Sequence, residues 1–229
     1  MRPRDKSPLP TTNERAQAGV AWGWLVGLCG FVAYAAFLAP PEDPALTHAL
    51  VVGAFSGKFG TVDPSIAAVF SVLGVVPAIT AAFVLRDGAS RKLPAWPFAL
   101  AMFAVGAFAL LPWLALRGVG GPRAVRRAPG LVRRALAHPT TGWALMAALL
   151  ALGGWAIVAG SLTAYVRAFH AAAMVNVMTI DLCVCSGLLM VLVEEARAHG
   201  CREPAAALWA RRVPLLGSAA WNALVRRDP

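Results

Sequence analysis

Five stretches of this sequence are apolar for about 20 residues each, the length of helix that crosses the hydrocarbon core of a bilayer. They lie at residues 19–39, 65–85, 96–116, 142–166 and 173–193. None alternates apolar and polar residues as a membrane-spanning strand would. Lipid offers no partner for backbone N–H and C=O groups, so such stretches form helices. We therefore predict an all-α, polytopic membrane protein, a bundle of about five transmembrane helices with interfacial segments.

The composition agrees with a membrane protein and points to lipid as the partner of its charges. Only 14% of the residues are charged, against about 25% in soluble domains. The formal net charge is +10, and the arginines cluster beside the apolar stretches, where anionic lipid headgroups are the nearer partner. We predict no nucleic-acid partner. The predicted headgroup-binding residues are Arg123, Arg126, Arg127, Arg133 and Arg134.

Polar segments flank the bundle, which we place at residues 19–195. Residues 1–18 are polar and proline-rich, which predicts a solvated N-terminal arm. Residues 196–229 hold arginines and aromatics in pieces broken by Pro and Gly, which predicts a basic, surface-lying C-terminal tail. The apolar piece at residues 45–55 is too short to span and is expected to be an interfacial helix. Asp63, before Pro64, is expected to cap the second span.

Three glycines in the first predicted span have a regular spacing. Gly19, Gly23 and Gly27 are four residues apart and share one helix face. Such a face lets another helix approach closely. We predict that these glycines form a helix-packing surface.

The fifth predicted span carries an acid near its middle. Asp181 would cost roughly 3 kcal/mol in lipid on insertion scales, so it should face protein. Asn176 and Thr179 lie on one side of this helix and Asp181 about 140° from Asn176. Polarity on two sides predicts that the fifth span is the enclosed helix of the bundle. No Lys or Arg lies in a predicted span core, so we expect Asp181 to be a neutral hydrogen-bonding contact. Contact with a partner or cofactor, and proton relay, are the alternatives.

No catalytic or metal-binding motif is present in the sequence. It lacks a zinc-protease helix, a nucleophile elbow and a phosphate-binding glycine loop. Cys183 and Cys185 point about 200° apart on a helix, so they do not share a metal ion. We therefore predict a protein that is not an enzyme and has no metal site.

Three segments carry a resemblance to known proteins. They are VDPSIAAVFSVLGVVPAIT at 62–80, KLPAWPFALAMFAVGAFALLPWLALR at 92–117 and VNVMTIDLCVCSGLLMVLVEEARAHG at 175–200. Together they resemble a family of uncharacterised multi-span membrane proteins of cyanobacteria and chloroplasts. The last also resembles a small bacterial family of unknown function with an Asp in a span. The resemblance covers about two-thirds of the chain and depends on the Leu-Pro-x-x-Pro-Phe opening, the Leu-Leu-Pro ending and the Asp-containing span.

The resemblance implies a chloroplast thylakoid membrane. In that setting we expect an accessory integral membrane subunit of a photosynthetic complex, a photosystem or antenna assembly, with a structural and chlorophyll-contacting role. Its partners would be larger membrane-protein subunits, and its cofactors chlorophyll and carotenoid. The magnesium of chlorophyll takes an axial N or O ligand, for which the candidates are His138, His170, Asn176 and Glu194.

Two other functions stay open. One is a small transporter or channel with a polar path at Asp181, although the sequence shows no internal repeat of the kind common in transporters. The other is a membrane assembly factor or a membrane enzyme of unknown substrate.

Overall fold

The computed structural model is helical in the parts of the chain that it describes, which are residues 12–87, 93–117, 135–136, 138–198 and 213–224. The helices are α1 (Thr12–Phe37), α2 (Pro44–Ser56), α3 (Pro64–Asp87), α4 (Trp96–Val105), α5 (Ala107–Leu116), α6 (Pro139–Ala159), α7 (Leu162–Ala171), α8 (Ala173–Ala198) and α9 (Pro214–Leu224). No strand occurs within these ranges, which confirms the all-α prediction for them. The five predicted headgroup-binding arginines and most of the N-terminal arm lie outside the described residues.

Four of the helices are long and apolar enough to cross a membrane. They are Gly19–Phe37 in α1, Pro64–Leu85 in α3, Pro139–Ala159 in α6 and Ala173–Arg197 in α8. The stretch predicted as a continuous span at 96–116 is instead two apolar helices of 10 residues, α4 and α5. Each of these two is too short to span a bilayer alone.

The most enclosed of the four long helices is α3. Of its apolar span 61% is buried, against 44% for α8, 11% for α6 and 6% for α1. It packs against α4, α6 and α8. The expectation that the fifth span is the enclosed helix is therefore wrong. Small buried side chains on α3 let several neighbours approach it, among them Ala67, Ala68, Ala81 and Ala82.

The helix predicted over 142–166 is divided in two. α6 ends at Ala159, and the following Gly160 is extended, with φ −88° and ψ 167°. Ser161 then caps α7, because its Oγ accepts the N–H of Ala164 at 3.2 Å. The predicted end of this span was wrong because Ser161 starts a new helix.

Asp63, the residue before α3, accepts hydrogen bonds at the same junction. Its Oδ1 accepts the N–H of Ser65 at 2.9 Å and the N–H of Ser161 at 3.1 Å, and the Ser65 hydroxyl also donates to it. Partial burial alone would raise the pKa of Asp63, but these hydrogen bonds outweigh burial and hold the pKa below its usual value. The predicted cap of α3 is confirmed, and the same carboxylate ties α3 to the start of α7.

The C-terminal helix α9 is buried. Its residues from Gly217 to Ala223 are buried, Trp221 completely, and α9 packs against α6 and α8. Gly142 of α6 lies on its backbone, since a Cβ there would be 2.7 Å from the Cα of Ala223. The prediction of a surface-lying tail at 196–229 is therefore wrong for α9. Its glycine, alanines and serine make a face small enough for close packing.

The short helix expected at 45–55 is present as α2. The Oδ1 of Asp43 accepts the N–H groups of Ala45 and Leu46, both at 3.1 Å, and so caps the helix. Gly57 ends it in the left-handed region with φ 71°. α2 packs on α3.

Candidate functional site

The break between α4 and α5 consists of one residue, Gly106. Its φ is 53° and its ψ is −131°, a conformation that residues with a Cβ rarely adopt. No side chain of this segment caps α5. Because the first amides of a helix have no partner within it, the start of α5 needs an acceptor from elsewhere in the fold.

Asp181 supplies that acceptor from α8. Its Oδ1 accepts the N–H of Ala107 at 2.7 Å, and the thiol of Cys185 lies 3.9 Å from the same oxygen. The residue is only 6% exposed. Its partner is therefore the positive end of a helix dipole. This partner belongs to the backbone, so the absence of Lys and Arg from the span cores gave no sign of it.

The contact requires glycine at position 106 for a second reason. A Cβ at Gly106 would overlap Oδ2 of Asp181 and lie 2.5 Å from its Cγ. The carboxylate thus lies directly on the backbone of the break. Gly106 and Asp181 form one structural unit, although they are distant in sequence.

An open cavity of about 900 Å³ adjoins this unit. It lies between α2, α3, the α4–α5 break and α8, and Asp181 and Gly106 are among its lining residues. The rest of the lining is mainly apolar and includes five phenylalanines: Phe55, Phe59, Phe70, Phe103 and Phe108. Phe55 and Phe103 are exposed, so the cavity opens to the surroundings.

The far end of α5 is also attached to α8. Arg117, directly after α5, forms an ion pair with Glu195 through both guanidinium nitrogens, one of them 2.7 Å from the carboxylate. The guanidinium carbon also lies 5.5 Å from the ring centre of Trp113. This pair was not predicted from the sequence. Its signal was a basic and an acidic residue at the ends of two predicted spans.

Asn176, a candidate pigment ligand, is engaged within the protein. Its Oδ1 accepts the hydroxyl of Tyr34 at 2.7 Å, and its Nδ2 donates to the carbonyl of Phe169 at 3.1 Å. It is 4% exposed. The structure thus places Asn176 as a link between α1, α7 and α8.

The other three candidate ligands are exposed at helix ends. His138 caps α6 through Nδ1 and Thr140, and His170 packs edge-on against Phe169 at 5.1 Å. Glu194 pairs with Arg197 at 3.3 Å. His138 lies at the start of α6 and His170 in the last turn of α7. The structure does not bring the candidates together into one site.

The predicted glycine face of α1 is open. A Cβ built at Gly19, Gly23 or Gly27 would have no atom of the described chain within 4 Å. α1 instead packs on α5, with Phe31 stacked on Phe108 at 4.1 Å between ring centres. The predicted close helix contact is not made within the described chain, because α1 presents its larger side chains to α5.

No family model matches the sequence, and comparisons with curated proteins and with solved structures found no match. The resemblance to the cyanobacterial and chloroplast family therefore stays a prediction.

Proposed function

We propose that α4, Gly106 and α5 together form one further span, so that the chain crosses the membrane five times. The two helices have 10 residues each, and with Gly106 they extend about 30 Å at ~1.5 Å per residue, enough for the hydrocarbon core. The attachments of α5 support this topology. The N–H of Ala107 at the start of α5 bonds Asp181, and Arg117 after its end pairs with Glu195, which lies further along α8. The helices α5 and α8 therefore run in the same direction. α6 provides the single return crossing between them.

We infer that this membrane protein binds a small molecule at the broken span and moves it across the membrane. The observation that carries this inference is the Asp181 carboxylate capping α5 at the wall of an open cavity. In transporters, discontinuous helices commonly form the substrate site, because helix ends there present unpaired backbone groups. An intramembrane acid is also a functional residue by default, since it is expensive to keep.

The arrangement suggests how binding is coupled to movement. One oxygen of Asp181 holds the first amide of α5, and the residue also faces the cavity. A solute that draws the carboxylate toward itself weakens the hold on α5. The position of α5 then depends on whether the cavity is occupied.

Uptake into vesicles tests this function. The full chain is reconstituted in liposomes, and entry of ethidium (cationic), pyranine (anionic) and a coumarin glucoside (neutral) is followed by fluorescence. We expect faster entry of at least one solute than in protein-free vesicles, and loss of the increase in Asp181→Asn. Glu42→Gln is the control, because it removes an exposed acid that does not line the cavity. Equal entry of all three solutes with and without the protein would overturn the proposal.

We propose a second function on separate grounds, an accessory integral membrane subunit of a thylakoid photosynthetic complex with a structural and chlorophyll-contacting role. The supporting observation is the low burial of α1 and α6, 6% and 11% of their spans, together with the open glycine face. Larger subunits would cover these surfaces, and exposed His138, His170 and Glu194 could ligate chlorophyll beside carotenoid. Gentle solubilisation of the native membrane, with absorbance and a subunit list, tests it. Migration as a lone colourless species would overturn it.

A further inference from the structure

The cavity beside the broken span has one ionisable residue among its described lining residues, Asp181. Its Oδ1 is occupied by Ala107 and Cys185, and its Oδ2 receives no hydrogen bond from any described residue. Burying a carboxylate that is only partly satisfied is costly. A positively charged solute would supply the missing partner.

The end of α4 contributes an attraction of the same sign. Phe103, Ala104 and Val105 form its last turn and line the cavity. A helix C-terminus carries a partial charge of about −0.5 from its unpaired carbonyls. Carbonyls at the ends of half-helices contribute to cation sites in transporters. The start of α5 has the opposite sign, but its first amide is already bonded to Oδ1 of Asp181. The second oxygen of Asp181 and the end of α4 therefore favour a cation over an anion.

The remaining lining determines how apolar that cation is. Five phenylalanine rings can hold a cation against their faces, and three methionines (Met102, Met174 and Met178) can adapt to its shape. The volume of about 900 Å³ lies within the range of roughly 300–1,000 Å³ for drug-sized ligands. A small hydrated metal ion would leave most of this apolar surface unused.

We propose that the cavity binds an apolar organic cation, with the phenylalanines around its body and with Asp181, ionised beside the cation and not neutral as predicted from the sequence, as its counter-charge. The proposal depends on the transport function above and specifies its substrate class. Asp181 thereby has two tasks: one oxygen fixes α5 and the other receives the cation.

Binding of two ions of equal shape and opposite charge tests whether the cavity prefers a cation. Tetraphenylphosphonium and tetraphenylborate differ in charge and little in size, and equilibrium dialysis against the detergent-solubilised full chain corrects for their partition into micelles. We expect at least tenfold tighter binding of the phosphonium ion. Asp181→Asn keeps an oxygen to accept the Ala107 N–H and removes the charge, so it should weaken phosphonium binding at least tenfold. Glu42→Gln, which removes an exposed acid outside the cavity lining, should change phosphonium binding less than twofold.

A second pair of variants tests the cavity without altering Asp181. Gly74 lines the cavity, and a Cβ there would meet no described atom within 4 Å. Gly74→Phe should fill the space and weaken phosphonium binding at least tenfold. Gly187→Phe is the control, because Gly187 on α8 has equal room and is not among the lining residues; it should change binding less than twofold.

The outcomes separate the substrate class from the function. Tetraphenylborate binding as tightly as tetraphenylphosphonium, or unchanged phosphonium binding in Asp181→Asn and Gly74→Phe, would overturn the cation proposal. Saturable entry of pyranine or the coumarin glucoside alone would leave transport standing and overturn the cation class. Phosphonium binding with no vesicle uptake of any solute would support the cation site and overturn transport.

Discussion

Two helix breaks in this protein, α4–α5 at Gly106 and α6–α7 at Gly160, have the same kind of hydrogen bond in different surroundings. At each, a glycine follows the first helix, and an aspartate distant in sequence accepts an amide at or directly before the start of the second helix. Asp181 accepts the N–H of Ala107 at 2.7 Å, and Asp63 accepts the N–H of Ser161 at 3.1 Å. The first bond is buried and the second is exposed.

The two junctions differ in how many acceptors they have. At the exposed one, Ser161 caps its own helix, and water can replace a lost hydrogen bond. At the buried one, Gly106 provides no side-chain cap, and Asp181 is the acceptor for Ala107. A junction that depends on one carboxylate responds to whatever that carboxylate binds. The buried break is therefore the one suited to function, and the exposed break to stability.

Substituting the two glycines should give the largest difference between the junctions. Gly106→Ala forces a Cβ into a left-handed conformation and against Asp181, at a cost of about 2–6 kcal/mol from strain and the lost buried hydrogen bond. Gly160→Ala keeps an allowed φ of −88°, but its Cβ would lie 2.4 Å from the carbonyl oxygen of Ala156 and 2.7 Å from the N of Ser65, so the backbone must shift at a cost of about 1–3 kcal/mol. Thermal unfolding and the yield of folded monomer in detergent measure both.

Gly187→Ala is the control for these substitutions. Gly187 is helical and has room for a Cβ, so the change should be neutral or stabilise by up to about 1 kcal/mol. Equal losses in Gly106→Ala and Gly160→Ala would show that the left-handed φ of Gly106 adds no cost beyond the close contacts that both positions have.

Removing the two carboxylates should lower stability less than the glycine substitutions and more than a change of pH. Asp181→Ala leaves the Ala107 N–H buried without an acceptor, at about 1–3 kcal/mol, and hydrogen exchange at the start of α5 should accelerate. Asp181→Asn retains an acceptor and should lose less. Asp63→Ala should cost about 0.5–2 kcal/mol, as for other exposed helix caps. Unchanged exchange at the start of α5 in Asp181→Ala would show that α5 does not depend on this bond.

Much of the architecture follows from the sequence by simple length and pattern rules. The long apolar runs predicted the helical class and the four long helices, because only a helix satisfies its own backbone in lipid. Asp63-Pro64 predicted the start of α3, because an acid and a proline suit the first turn. The α6–α7 break was also marked, by Ser161 as a possible cap, but the apolar residues after it concealed the signal.

Only one of the two partners in the buried site could be predicted from the sequence. Asp181 was visible as an acid that needed a partner, but that partner is the backbone N–H of Ala107, a group that nearly every residue carries. No residue type therefore identified it. The break at Gly106 was equally hidden, since glycine is common in membrane helices. The burial of α9 was missed for a related reason, because small residues such as Gly142 matter only once the neighbouring helix is known.

The pH dependence of the exposed junction is the smallest expected effect and tests whether its carboxylate acts as a charged cap. Because the hydrogen bonds from Ser65 and Ser161 lower the pKa of Asp63 in the folded protein, the charged form contributes stability above the unfolded pKa of about 3.9. That contribution is lost as the pH falls through the lower folded pKa. The melting temperature of the wild type should therefore exceed that of Asp63→Asn near pH 7, and the difference should close toward pH 3. Ser161→Ala removes a cap that does not titrate, so its difference from the wild type should stay constant over the same range. A gap for Asp63→Asn that also stays constant would mean that Asp63 acts through its shape alone, and the two junctions would then differ in burial but not in the role of charge.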